Sequence, residues 1–262
     1  MNKLLSETTP VWEPGTAHGY HGMTFGWFLS YLIKHVDPKH RTIGQFLQEE
    51  IADNFGIDFF IGLPKEEDYR VAKSDVSPWL FFKMMLSAKY RPLGINILFR
   101  PNSLISRAIR VLGSFGSENV YQYRSLEIPS ANGIGTARGL AKLYAILSNG
   151  GEWNGKRLLS NNLVKKFKEC NEKSEDKVLC KLNNFCHGMH PHFLITGLPD
   201  TYTENLFGHY GHGGQGAFFD EKSHLSFAYI TTKLSPYGSG DDGRYQALVK
   251  PVLETINKLK NK

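Results

Sequence analysis

The stretch His209-Tyr210-Gly211-His212-Gly213-Gly214 constrains this chain more than any other. It lies between apolar Leu206-Phe207 and a strand-like run from Ala217 to Thr232. Glycine at this density rules out a continuing helix and predicts a tight turn at the end of a short strand. A histidine then stands at a strand edge, where an imidazole can donate a proton or face a developing oxyanion. The surrounding residues share this character. Phe185 to Thr196, Leu206 to Gly211, Gly216 to Glu221 and Leu225 to Thr232 read as strands, with Asp220 to His224 as a hairpin loop. Gly243 to Lys260 reads as a closing helix.

Upstream the periodicity is helical. Residues 1–22 read as a short helix and a Pro/Gly turn, Trp12-Glu13-Pro14-Gly15 leading into Gly19-Tyr20-His21. Met23 to His35 is an amphipathic helix ended by Asp37-Pro38. Thr42 with Gln45 three residues on is a capping box for a helix to about Asn54, stopped by Gly56. Residues 57–72 read as a short strand and loop. Trp79 to Leu112 reads as helix in pieces, broken at Pro92 and Pro101. Gly113, Gly116, Pro129, Gly133 and Gly135 mark turns. Thr136 then caps a helix from Ala137 to Asn149 that Gly150-Gly151 ends. A last helix runs from Leu158-Ser160 to about Glu169, and residues 171–184 read as a charged loop. Helices, then antiparallel strands, then a helix make an α+β chain. One domain spans 1–262, with a mainly helical lobe at 23–170 and the strands and closing helix at 185–262.

The 262 residues are enough for a full core, and the 41% apolar and 21% charged content is that of a globular protein. Met1 to Pro10 has no apolar signal core. The longest apolar run, Met23 to Val36, is interrupted by Ser30 and Lys34, so no membrane span is expected. The absence of an Asn-x-Ser/Thr sequon favours an intracellular chain. Three cysteines, Cys170, Cys180 and Cys186, allow one disulfide. Net charge is +6, with lysines at the tail (Lys250, Lys258, Lys260, Lys262) and around Lys165 to Lys181. They read as a solvated basic face, and no nucleic-acid partner is expected.

Three motifs match by letters and fail by context. Gly211-x-Gly213-x-x-Gly216 leads into a hairpin instead of a helix, so it holds no dinucleotide. Cys186-His187-x-x-His190-x-His192 contains Pro191, and on a strand His187 would face away from His190 and His192. No metal or other cofactor is expected. Ser174-x-x-Lys177 lies in an exposed charged run, where nothing would depress a lysine pKa. The Gly-x-Ser-x-Gly elbow, the His-Glu-x-x-His motif and the phosphate loop are absent.

Several segments in order resemble the serine β-lactamase-like family of class C β-lactamases, penicillin-binding proteins, related esterases and animal β-lactamase-domain proteins. Trp12-Glu13-Pro14-Gly15 with Tyr20 is similar to its Pro-Gly segment and catalytic tyrosine. Glu127 to Ala141, with Thr136-Ala137 opening a helix, and Asn149-Gly150-Gly151 resemble its glycine, Thr-Ala, helix element. Phe207 to Gly214 is similar to its Lys/His-x-Gly strand. The resemblance implies a β-lactamase/transpeptidase-like fold, an antiparallel sheet with flanking helices and a helical lobe. It also implies ester or amide hydrolysis through an acyl-enzyme. Tyr20 and His209 would be catalytic, with Tyr210, Gly211 and His21 binding the substrate.

The family's Ser-x-x-Lys helix should precede the tyrosine, and none of the nineteen residues before Tyr20 forms it. The expectation is a truncated domain that lacks the first strands and the nucleophile helix and is inactive by itself. The alternative is a non-catalytic scaffold, a pseudoenzyme. Gly22 stands where many members carry an asparagine, which leans towards the esterase-like, non-bacterial branch. The expected partners are a small ester or amide and, through an open sheet edge, a second copy of the chain.

Overall fold

The computed structural model describes residues 6–77, 79–110, 117–170, 172–183, 185–191, 198–237 and 239–260. Met1–Leu5, the Gly113–Gly116 turn and the expected strand residues 192–196, with His192, lie outside them.

Helix α1, Thr24–Val36, follows the Tyr20 segment. Its buried point is Gly26, whose N–H donates to Ser130 Oγ at 2.8 Å. A side chain there would collide with the Ser130 main chain. Phe25, Phe28, Leu29, Leu32 and Val36 form an exposed apolar row along the helix. Asp37 ends α1 in an extended conformation. Its carboxylate accepts from the Arg41 guanidinium at 2.8 and 2.9 Å, and Arg41 also reaches Glu49 and Glu50. That pairing holds the Asp37 carboxyl far below the usual range.

The Thr42–Gln45 capping box is formed. Helix α2 opens over Ile43–Phe46, widens into a π-turn at Leu47–Ala52 and closes at Asp53–Phe55, before Gly56 with φ +59°. Strand β1, Phe59–Phe60, pairs antiparallel with β2, Ile134–Gly135. Between them lie three short helices, α3 Leu80–Leu86, α4 Arg91–Phe99 and α5 Leu104–Arg110, and then α6 Tyr121–Arg124. Pro92 does not break this region. It sits in the first turn of α4, where its missing N–H costs nothing, and the break falls at Ser87–Tyr90.

Helix α7, Ala137–Ser148, is capped by Thr136 Oγ1, which accepts from Gly139 N–H at 3.0 Å. Gly150 and Gly151, at φ +67° and +89°, end it. Strands β3 Glu152–Trp153 and β4 Lys156–Arg157 form a small hairpin before α8, Asn161–Lys166. The expected loop at 171–184 is instead a hairpin of β5, Ser174–Asp176, and β6, Lys181–Asn183. Its turn is held from inside by Asp176 Oδ1, which accepts from Val178 and Leu179 N–H, a local bond that residue charge does not reveal. Ser174 is therefore on a strand, and Lys177 pairs with Glu175.

The main sheet has the order β10-β9-β8-β7, all antiparallel: β7 His190–Pro191, β8 Phe207–Tyr210, β9 Gly216–Asp220 and β10 Leu225–Tyr229. Among the described residues, the strand expected from Phe185 begins only at His190. Cys186 and Met189 exchange backbone hydrogen bonds around His187 and Gly188, both at positive φ, in the geometry of a two-residue hairpin turn. Cys186 bonds to Cys170, with Cα atoms 4.1 Å apart, and Cys180 is free.

Alternation along β9 builds two cores. Phe218 faces the closing helix α9, Gly243–Lys260, with Leu206, Tyr245, Val249 and Leu253. Phe219 faces the other way, onto Leu147 of α7, Val164 of α8, Cys186 and Phe207. The sheet is thus a middle layer between helices, which is why all of β9 is buried. Gly208 in β8 is required by packing, because a Cβ there would lie 2.1 Å from the Ala217 carbonyl oxygen.

Candidate active site

The Tyr20 loop is set by a tight turn. Thr16 N–H returns to Glu13 O at 3.1 Å, with Pro14 and then Gly15 at φ +86° between them, the type II pattern. Trp12 Nε1–H donates to Ala17 O at 3.0 Å and lays its indole across Gly19. A Cβ at Gly19 would be 2.7 Å from that ring and 2.8 Å from Val178. The next residue is then clamped to the β5–β6 hairpin. Tyr20 N–H donates to Asp176 Oδ1 at 3.1 Å, and Lys177 N–H donates to His18 O at 3.0 Å. Asp176 is fully buried, and its Oδ2 lies 4.0 Å from His18 Nε2.

The Tyr20 ring stacks on Phe185 at 5.9 Å and on His209 at 6.3 Å, with interplanar angles of 11° and 21°. His190 closes the group, 4.4 Å from Phe185, 5.1 Å from His209 and 5.7 Å from Tyr210. Of the five expected site residues, Tyr20 and His209 therefore meet across 189 positions of sequence, while Tyr210 touches the group through His190 and packs against the core beneath α9. His21 turns aside: it is exposed, its Nδ1–H donates to Gly19 O at 2.8 Å and its ring edge meets Phe28. Gly211 shapes the end of β8, and its N–H is engaged by Gln215 O at 2.7 Å in the β8–β9 connection. That connection is a short turn through Gly213 and Gly214, at φ +81° and +93°, which leads into β9.

Electrostatically the cluster is neutral. Burial pushes the Tyr20 phenol up, and the Asp176 carboxylate pushes it the same way, so the hydroxyl keeps its proton at neutral pH. Burial pushes His209 down, against the opposing effect of its hydrogen bond to the Tyr210 carbonyl. That bond, 2.7 Å from Nδ1, can only be donated, so Nε2 of the neutral ring is the free acceptor. His190 is pushed down to about 3 by burial, with His209 and Lys181 adding to it. Beneath the strand, burial holds Tyr144 at about 12 despite a hydrogen bond from the His209 main chain. A neutral phenol beside a neutral imidazole acceptor, walled by aromatic rings, can pass a proton to or from a bound group.

The profile of the Beta-lactamase family matches residues 1–250. The chain belongs to that family. It is 29% identical over 243 residues to the Esterase/beta-lactamase LipL of Mycobacterium tuberculosis (strain ATCC 25618 / H37Rv), across 88% of this chain and 52% of LipL. The chain thus spans about half the length of the curated relative it matches. Among solved structures it resembles a penicillin-binding protein homolog from Caulobacter crescentus, with 28% identity and TM-score 0.67 over 89% of this chain and 58% of that one. It also resembles a family VIII carboxylesterase, with 27% identity and TM-score 0.73 over 89% and 57% of the two chains. EstA from Arthrobacter nitroguajacolicus Rue61a shares the fold at 24% identity, with TM-score 0.78 over 98% of this chain and 66% of that one. The fold is β-lactamase/transpeptidase-like, and the family is one of serine hydrolases and esterases.

Sequence reading missed Asp176, Phe185 and His190. Asp176 lies in a run of charges and nothing marks it as the one buried carboxylate among them. Phe185 and His190 were legible only as strand residues. Their place against Tyr20 depends on the disulfide-anchored turn that follows Phe185.

Proposed function

We propose that this chain forms the proton-transfer wall of a cleft that hydrolyses esters, and by extension amides, through an acyl-enzyme. The reading rests on one arrangement: the protonated Tyr20 phenol stacked beside the neutral His209 imidazole at the end of β8. In this chemistry a serine oxygen attacks the acyl carbonyl and a neighbouring lysine takes its proton. Tyr20 donates a proton to the leaving oxygen or nitrogen, and water then releases the acid. Tyr210 and Gly211 line the acyl side at the end of the strand. The names of LipL and of the carboxylesterase favour an ester as the substrate class.

No serine in these 262 residues is followed by a lysine three positions on along a helix. The 262 residues by themselves are therefore proposed to be inactive, with the serine and lysine supplied by further polypeptide. The exposed row Phe25, Phe28, Leu29, Leu32 and Val36 begins five residues after Tyr20 and is a fitting surface for the helix that carries them. The sheet edges at β7 and β10 are the places where further strands, or a second copy, would add. The missing pair also favours a second reading, a cleft kept for binding without chemistry.

A fluorophosphonate probe and a chromogenic ester test both readings. The chain alone should take no label and show no burst. Fused behind a Ser-x-x-Lys segment from a relative, it should label at that serine, and Tyr20→Phe should lower kcat by about 10²-fold or more. Labelling of any serine within the 262 residues would overturn the proposal. A folded fusion that binds ester without turnover would favour the binding reading.

A further inference from the structure

Between Asp75 and Glu118 the chain carries six cations, Lys83, Lys89, Arg91, Arg100, Arg107 and Arg110, and no carboxylate. The cations of this one segment match the net charge of the whole protein, +6. The segment folds as α3, α4 and α5, with short connections. Trp79, the residue that leads into α3, and Phe82 and Leu86 within it follow i, i+3, i+7 spacing and are 66%, 57% and 65% exposed. At 3.6 residues per turn they and Lys83 share an arc of about 100°. Met84 lies on the opposite side of the helix and is buried. It packs with Met85 against Gly94 of α4, so the exposed row is the outer face of a packed helix pair. The indole and the Phe82 ring meet edge to face at 6.2 Å. Helix α4 ends in Phe99, 70% exposed, followed by Arg100.

Lys89 is committed to Asp241 at 2.6 Å, and Arg91 to the Met85 carbonyl at 2.9 Å. Lys83, Arg100 and Arg107 take part in no ion pair among the described residues. Bulky exposed aromatics are costly in water, and beside hydrated, unpaired cations they are suited to a membrane interface. There, rings sit at the acyl boundary and long cationic side chains reach phosphates. No described helix is long and apolar enough to cross a membrane, so such an element would lie on the surface. A second copy is a poor occupant, because it would bring like charges face to face. A nucleic acid would stack on the rings and leave Leu86 and Leu98 unused.

We propose that α3–α5 docks this protein on an anionic lipid surface, with Trp79, Phe82, Leu86 and Phe99 entering the interface and Lys83, Arg100 and Arg107 on the headgroup phosphates. The test is cosedimentation of the 262-residue chain with vesicles of phosphatidylcholine, alone or with about 30 mol % phosphatidylserine. Binding to the anionic vesicles should exceed binding to the neutral ones by about tenfold or more. It should collapse between about 0.1 M and 0.5 M salt. Phe82→Ser with Phe99→Ser should weaken it by about tenfold or more, and Lys83→Gln with Arg100→Gln by about 25-fold, roughly fivefold per cation. Both pairs are exposed, and an unchanged circular dichroism spectrum confirms that the variants fold. Equal binding to neutral vesicles would overturn the proposal, as would binding that both double variants retain. It would also fail if Leu29→Ser with Leu32→Ser on α1 abolished binding instead. A stable dimer that Phe82→Ser with Phe99→Ser dissolves would assign the face to a second copy.

Discussion

Two regions of this protein are built from the same residue types and put them to opposite uses. Around Tyr20, the rings of Phe185, His190 and His209 turn inward on one another, and burial keeps the Tyr20 phenol and both imidazoles neutral. On α3 and α4, Trp79, Phe82 and Phe99 turn outward among charged lysine and arginine. Desolvation is the difference. Rings that shield titratable groups from water set the protonation state of a site, whereas rings that share water with fixed cations leave every charge in place and offer a surface. One arrangement suits proton transfer and the other suits adhesion.

The contrast is sharpest where burial is complete. Asp176→Ala would leave the N–H groups of Tyr20, Val178 and Leu179 without their acceptor. It should cost about 3–5 kcal/mol in urea unfolding. Asp176→Asn keeps an oxygen in place, so it should cost less. It should also let the Tyr20 phenol titrate at lower pH, because the charge that raised it is gone. Gly208→Ala, pressed against the Ala217 carbonyl, should cost about 3 kcal/mol by the same measurement.

A milder effect follows from pH. His190 takes up a proton near 6.5 when unfolded and only near 3 when folded, so the unfolded state binds more protons between those values. Stability should fall as pH drops below about 6.5, by about 1.4 kcal/mol per pH unit for this residue. His190→Gln should lessen that slope in the window above about pH 4.5, before carboxylates contribute, and leave the part that His209 and His212, also pushed down by burial, supply. Tyr20→Phe should change stability by less than about 1 kcal/mol while lowering kcat by about 10²-fold or more in the serine-supplied fusion. The smallest effect belongs to the outer surface. Phe82→Ser with Phe99→Ser should shift thermal unfolding by less than about 0.5 kcal/mol, because neither side chain is buried. A large loss there would mean that this face is core, and the contrast between the two regions would fail.

Much of the fold was legible because local chemistry and global packing agree. Thr42 with Gln45, Thr136, and Gly150-Gly151 mark helix ends in the sequence and do so in the structure. The strands at Phe207–Tyr210, Gly216–Asp220 and Leu225–Tyr229 fall within the runs read for them. The misreadings cluster at residues 171–191. There a buried aspartate, a histidine at positive φ and a disulfide replace a loop and the start of a strand with two hairpin turns. Each of those devices acts through a partner distant along the chain or through a backbone angle, and residue type reports neither. Of the site, Tyr20, His209 and Tyr210 were visible as motif residues, while the groups that hold and tune them were not.

By itself, the sequence determined where helices start and stop, the α+β order, the placing of a tyrosine after a Pro-Gly turn and the histidine on a glycine-flanked strand. Those depend on short-range rules of capping, turn angles and residue size. Only the tertiary structure decided that Asp176 would pin Tyr20, that Phe185 and His190 would join His209, and that the rings of α3 would face outward. Those outcomes depend on which surfaces find each other and exclude water, and solvent exclusion is a property of the packed chain that no window of sequence contains.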